Sequence, residues 1–186
     1  FDIVLNFMFF MAIYYVSNTS FWFTILAFVG IQLQGTLYNY YYVILRNNSD
    51  GGDATSQIFE DKSPKALPGE SQKSVDILFA IYTFVYGAFD KIIHTLDSDA
   101  HKVKTFPNWF MTLVSLYGLG FQLLLLAVLL SLHLTNWILP FFVVYTLLIF
   151  VFVGIRKYFI PAINADSELQ PLDSTRIEIE NVIRLG

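Results

Sequence analysis

From Thr105 to Ile155 the chain carries no Asp, Glu, Lys or Arg. That run is more than twice the ~20 apolar residues an α-helix needs to cross a ~30 Å hydrocarbon core. It divides at the turn Thr135-Asn136 into two candidate spans, 107–133 and 137–159. In hydrocarbon every backbone N–H and C=O must be satisfied inside the segment, so such stretches become helices. A soluble fold is excluded by the balance of the whole chain, 55% hydrophobic against 14% charged over 186 residues; soluble domains carry about 25% charge. The 19 Phe and 11 Tyr suit lipid-facing and interfacial surface.

Two further apolar stretches, 2–16 and 21–45, flank Ser17-Asn18-Thr19-Ser20. The first is short for a span, and it opens on Phe1 rather than Met, without a signal-peptide pattern. The chain is therefore expected to lack its N-terminal part. Residues 47–73 hold Gly51, Gly52, Pro64, Pro68, Gly69 and many charges, the composition of a loop. The tail, 160–186, is polar and acidic, and its Ser174 to Leu185 stretch is expected to form a short surface helix. These boundaries define an all-α polytopic membrane protein. Residues 1–159 form a bundle of about four transmembrane helices plus one amphipathic interfacial helix, 74–96.

Charge placement orders the crossings. If 2–16, 21–45, 107–133 and 137–159 span, the short loops 17–20 and 134–136 lie on one side and contain no Lys or Arg. All 11 Lys and Arg, from Arg46 to Arg184, then fall on the other. The positive-inside rule makes that side cytoplasmic, placing loop 46–106 and the tail there. If 74–96 crossed instead, Arg156 and Lys157 would land opposite Arg46. Within 74–96, Asp76, Thr83, Gly87, Asp90 and His94 are spaced 7, 4, 3 and 4 apart. That is one polar stripe on an otherwise apolar helix. Such a helix lies at the interface or packs on the bundle with its stripe toward a cavity.

Polar side chains inside the spans are costly and usually face the bundle interior. Gln32, Thr36, Asn39 and Arg46 form one stripe in the second span; Asn108, Thr112, Ser115, Gly118 and Gln122 form another in the third. Two readings stay open. One is interhelical hydrogen bonding, with Gly118 and Gly120 allowing close approach. The other is a polar cytoplasmic cavity bounded by Asn39, Arg46, Asp90, His94 and Ser115. Tyr38, Tyr40, Tyr41 and Tyr42 fit an interfacial aromatic belt as well as a site. Asp2 begins the first span with Asn6 one turn along the same face; an Asp at a helix N-terminus is also favoured by the macrodipole. Asp50-Gly51-Gly52-Asp53 lacks the spacing of a calcium loop and the Lys-Ser/Thr of a phosphate loop. His101 and His133 are unpaired in sequence, and the absence of cysteine excludes disulfides, thiolate metal sites and a Cys nucleophile. No basic surface argues for nucleic acid.

The start Phe1-Asp2-Ile3-Val4-Leu5-Asn6 resembles the end of the signature of CDP-alcohol phosphatidyltransferases, D-x-x-D-G-x-x-A-R, eight residues, then G-x-x-x-D-x-x-x-D. Leu37-Tyr38-Asn39-Tyr40-Tyr41-Tyr42, ending at Arg46, looks like that family's fourth span, and Leu113-Val114-Ser115-Leu116-Tyr117-Gly118 like the start of its fifth. Members have six spans, of which these would be the last four. The resemblance implies phosphatidyl or phosphoalcohol transfer from a CDP-linked donor to an alcohol, with release of CMP, in phospholipid biosynthesis. It implies a divalent metal, Mg2+ or Mn2+, held by carboxylates. Asp2 aligns either as the final aspartate, the general base, or as the third, a metal ligand with Asn6 where the base belongs. Asn6, Asn39, Arg46, Asp90, His94 and Ser115 are the expected substrate-side residues, Arg46 as a phosphate partner. The expected partners are the lipid bilayer, the donor and the acceptor, with a homodimer left open. A transporter or channel module and a non-catalytic membrane scaffold compete with this reading; no charge lies near the middle of any span.

Overall fold

The computed structural model describes residues 2–48 and 62–160; of Asp2 it describes the backbone. The described chain is an all-α bundle of apolar helices. Helix α1 runs Asp2–Val16 and α2 runs Phe21–Asn48, three residues beyond the apolar stretch. Helix α3, Gln72–Leu96, is followed by a 3-10 turn at Ala100–Lys102. The remaining helices are α4, Asn108–Val114; α5, Leu119–Ser131; α6, Thr135–Thr146; and α7, Leu148–Phe159. Length and composition allow three to four membrane crossings. The segment 50–53 and the stretch 174–185 lie outside the described residues.

The third expected span, 107–133, is not one continuous helix. It breaks at a 3-10 turn, Ser115–Tyr117, and α5 leaves at 51° to the first part. The cause is local. Thr112 Oγ1 donates to the Asn108 carbonyl and Ser115 Oγ to the Thr112 carbonyl, at 2.9 and 2.7 Å, back-bonding that bends helices. Gly118 then takes an extended conformation, φ −65° and ψ 145°. Across from this break, α6 passes into α7 at Leu147. Two tyrosines latch the breaks together. Tyr145 Oη donates to the Leu116 carbonyl and Tyr117 Oη to the Tyr145 carbonyl, both at 2.8 Å. These hydroxyls hydrogen-bond to carbonyls at the two interruptions.

The turn between α5 and α6 falls at Leu132–Leu134, just before the expected Thr135-Asn136. His133 adopts φ 57°. Leu134 N–H bonds back to the Leu129 carbonyl and His133 N–H to the Leu130 carbonyl, at 2.9 and 3.0 Å, a Schellman ending.

Two ends of the bundle can be told apart. At the turn end, Asn18 N–H donates to Asn136 Oδ1 at 3.0 Å, joining the two short connections. At the linker end, Asn48 Nδ2 donates to the Val103 carbonyl at 2.7 Å, and Tyr41 packs against Phe106 and Phe110. Helix α2 is the central element and packs most extensively on α6. The core has two parts. Phe10, Ile13, Ala27, Ile31, Ile138 and Phe142 fill the region joining α1, α2 and α6. Leu37, Tyr41, Ile44, Phe110, Tyr117 and Phe152 fill the linker-end region.

Candidate functional site

Three features stand out in this apolar frame. The first is at the linker end and centres on Asp97, fully buried beyond the last turn of α3. Arg156 of α7, also buried, donates from Nε to Asp97 Oδ2 at 2.6 Å, and its Nη2 reaches Oδ1. Tyr41 Oη donates to the same Oδ2 at 2.7 Å, and Tyr40 Oη to the Asp97 carbonyl at 2.9 Å. Lys157 Nζ donates to the Leu96 carbonyl at 2.8 Å. His94 Nδ1 lies 3.4 Å from Tyr40 Oη. The carboxylate is matched by a bidentate guanidinium, the geometry in which a buried ion pair is tolerated.

The second lies within the bundle. Gln122 Nε2 donates to Gln34 Oε1 at 2.9 Å, and Gln34 Nε2 donates to Thr146 Oγ1 at 2.8 Å. Thr146 in turn donates to the Phe142 carbonyl at 2.7 Å. This chain of bonds stitches α5, α2 and α6 through side chains that would otherwise be unsatisfied. Gly30 permits the approach: a Cβ there would collide with Thr146 Oγ1.

The third is a cavity of about 530 Å3 between α1, α2 and α5. Leu5, Phe9, Ile31, Leu123 and Leu126 contribute to its apolar wall, and Asn6 and Gln122 are its polar members. An apolar cleft with a few polar groups is the usual form of a small-molecule or lipid site.

The expected site residues distribute unevenly over these features. Asp2 lies in the first turn of α1, and its side chain is outside the described residues. Asn6, one turn on, lines the cavity. His94 joins the Asp97 cluster through Tyr40, and Asp90, one turn back on α3, accepts from Tyr82 Oη at 3.1 Å. Arg46 is half-buried in the last turn of α2, while Asn39 and Ser115 are exposed. The Ser115 hydroxyl is turned to its own helix. Asn6 and His94 thus belong to separate features.

The sequence pattern did not single out Asp97, Arg156 or Gln34. Asp97 follows the α3 stripe by three residues and reads as loop. The signal that points to it is Arg156, a guanidinium closing a charge-free run, which requires an acid from elsewhere. Outside the spans, Asp99 is held below the usual carboxylate range by the hydrogen bond and charge of Lys102, 2.7 Å away. Among the described residues no three His, Asp or Glu side chains converge to hold a metal ion. Compared with known proteins, the chain matches no family model, no curated protein and no solved structure.

Proposed function

We propose that this chain is the membrane part of an enzyme resembling CDP-alcohol phosphatidyltransferases, transferring a phosphatidyl or phosphoalcohol group from a CDP-linked donor to an alcohol. The observation that carries this reading is the apolar cavity lined by Asn6, one turn along α1 from Asp2. A cleft of that kind accepts a hydrocarbon tail beside the polar start of a helix. In the reaction the acceptor hydroxyl attacks the β-phosphorus, its proton passes to a base, and the bond to CMP breaks. Asp2 is that base in the alignment that makes it the final aspartate. The linker end is the cytoplasmic one, where the soluble product CMP departs.

The described residues do not assemble a divalent-metal site. Asp2 alone is too few ligands for the Mg2+ or Mn2+ that the resemblance implies.

The direct test is CMP release by the full-length protein, reconstituted with CDP-diacylglycerol, a panel of alcohols and Mg2+ or Mn2+. Asp2→Asn at unchanged expression is expected to lower release by about 10²-fold or more, the usual scale of a general base. Full retention rejects Asp2 as a catalytic residue, and no release from the wild type on any alcohol rejects the enzyme. A non-catalytic scaffold is the second reading. It is favoured by the way Thr112, Ser115 and Asp97 spend their polar groups on helix geometry and packing.

A further inference from the structure

Helix α3 is long and apolar enough to be a crossing, yet among the described helices it is the least enclosed: of its residues only Ile93 is buried. Ile77, Ile81, Phe84, Ala88 and Ile92, spaced 4, 3, 4 and 4, form one exposed apolar face. Phe84 is 88% exposed. Asp76, Thr83, Asp90 and His94 occupy another side, so the helix is two-faced from Ile77 to Ala88, with Lys91 closing the apolar face. At 25 residues it extends about 37 Å, most of it beyond the contact at its C-terminal end.

We infer that α3 does not cross the bilayer but lies along its surface at the linker end, apolar face in lipid, moored to the bundle by the Asp97 cluster. The first support is positional. Asn48, at the end of α2, bonds Val103, and Tyr40 and Tyr41 of α2 bond Asp97. The chain therefore leaves α2 and leaves α3 at the same end of the bundle. A crossing α3 would start at the opposite end, and residues 49–71 would have to traverse the bilayer too. Those residues include Asp50, Asp53, Glu60, Asp61, Lys62, Lys65 and Glu70. Charged side chains near the membrane centre are strongly disfavoured.

The second support is continuity. The α3 apolar face is attached to a bundle whose outer side is itself apolar and exposed at Leu123, Leu124, Val144, Phe150 and Val151. The lipid that covers those residues is the neighbour already present at the α3 face. An in-plane helix with one apolar and one polar side is the physical form of a monotopic membrane element. The inference holds whether or not the protein is an enzyme.

The absence of cysteine makes the test clean. Single-cysteine variants Q72C, K104C and N18C of the full chain, in sealed vesicles, are treated with a membrane-impermeant maleimide from each side. Q72C and K104C are expected to label from one side and N18C from the other. Q72C labelling together with N18C overturns the inference. The occupant is tested by spin-labelling I81C, F84C and T83C in lipid vesicles. Oxygen, which partitions into lipid, is expected to reach I81C and F84C better than a water-soluble nickel complex, with the order reversed at T83C. Easy access of the nickel complex to F84C, or shielding of F84C from both reagents, as under a protein partner, overturns it equally.

Discussion

Among the described residues, Asp97 and Arg156 are the two most completely buried charges, at 0 and 2% exposure. Their worth lies in their pairing. Arg156→Leu strands a buried carboxylate and is expected to cost about 3–5 kcal/mol, whereas Asp97→Leu with Arg156→Met together is expected to recover most of it. Unfolding of the purified variants in mild detergent checks both. The exposed pair Lys102–Asp99 is the contrast. Lys102 lowers Asp99 in the folded state, so its stabilisation is present above the ordinary carboxylate value near 4 and is lost as pH falls through the lowered one. With both partners in solvent it is small. Lys102→Met is therefore expected to lower melting by a small, constant amount above about pH 4, a difference that shrinks to nothing as pH falls through the lowered value of Asp99. His133 pays for its left-handed conformation, φ 57°. His133→Gly should stabilise by about 1 kcal/mol, read as a raised melting temperature. Sequence periodicity revealed the α3 stripe but not Asp97, because a residue one step past a helix has no phase. What identifies it is a tertiary partner 59 residues away.

At the level of elements, the apolar stretches were legible because hydrocarbon admits few alternatives to helix, and 2–16 and 21–45 reappear as α1 and α2. The breaks were not legible. Thr112 and Ser115 look like interhelical donors in a linear stripe, but each has a carbonyl of its own helix within reach, and that local bond wins. Gln34 and Gln32 are alike in sequence. Both are buried amides on α2, and only the placement of Gln122 and Thr146 selects one of them. The α2–α6 contact depends on Gly30. Gly30→Ala forces Thr146 off the position where it serves both Gln34 and the Phe142 carbonyl, and β-branched Thr has little χ1 freedom to yield. A loss of about 1–3 kcal/mol is expected. Thr146→Ala in the same chain should restore part of it, since the clashing oxygen is gone. Unfolding of the single and double variants decides this.

For the whole molecule, the segregation of cations seen in the sequence has a structural counterpart: Arg156 and Lys157 meet the α3 terminus at the same end where Arg46 closes α2. The candidate site was less legible than the architecture. Asn6 and His94 fall in different regions, and a linear pattern carries no information about which of two features a residue joins. The separation is also what the proposed chemistry and the proposed surface helix have in common, since the cleft and the Asp97 cluster can be perturbed one at a time. The two ends of the path from Asn48 to Asp97 meet at one end of the bundle, fastened by Asn48–Val103 and Tyr41–Asp97. A reporter spliced into that path near Leu67 would therefore neither reverse the threading of later segments nor strain the walls. With α3 on the surface as inferred, the molecule carries a built-in handle, accessible from a single aqueous phase.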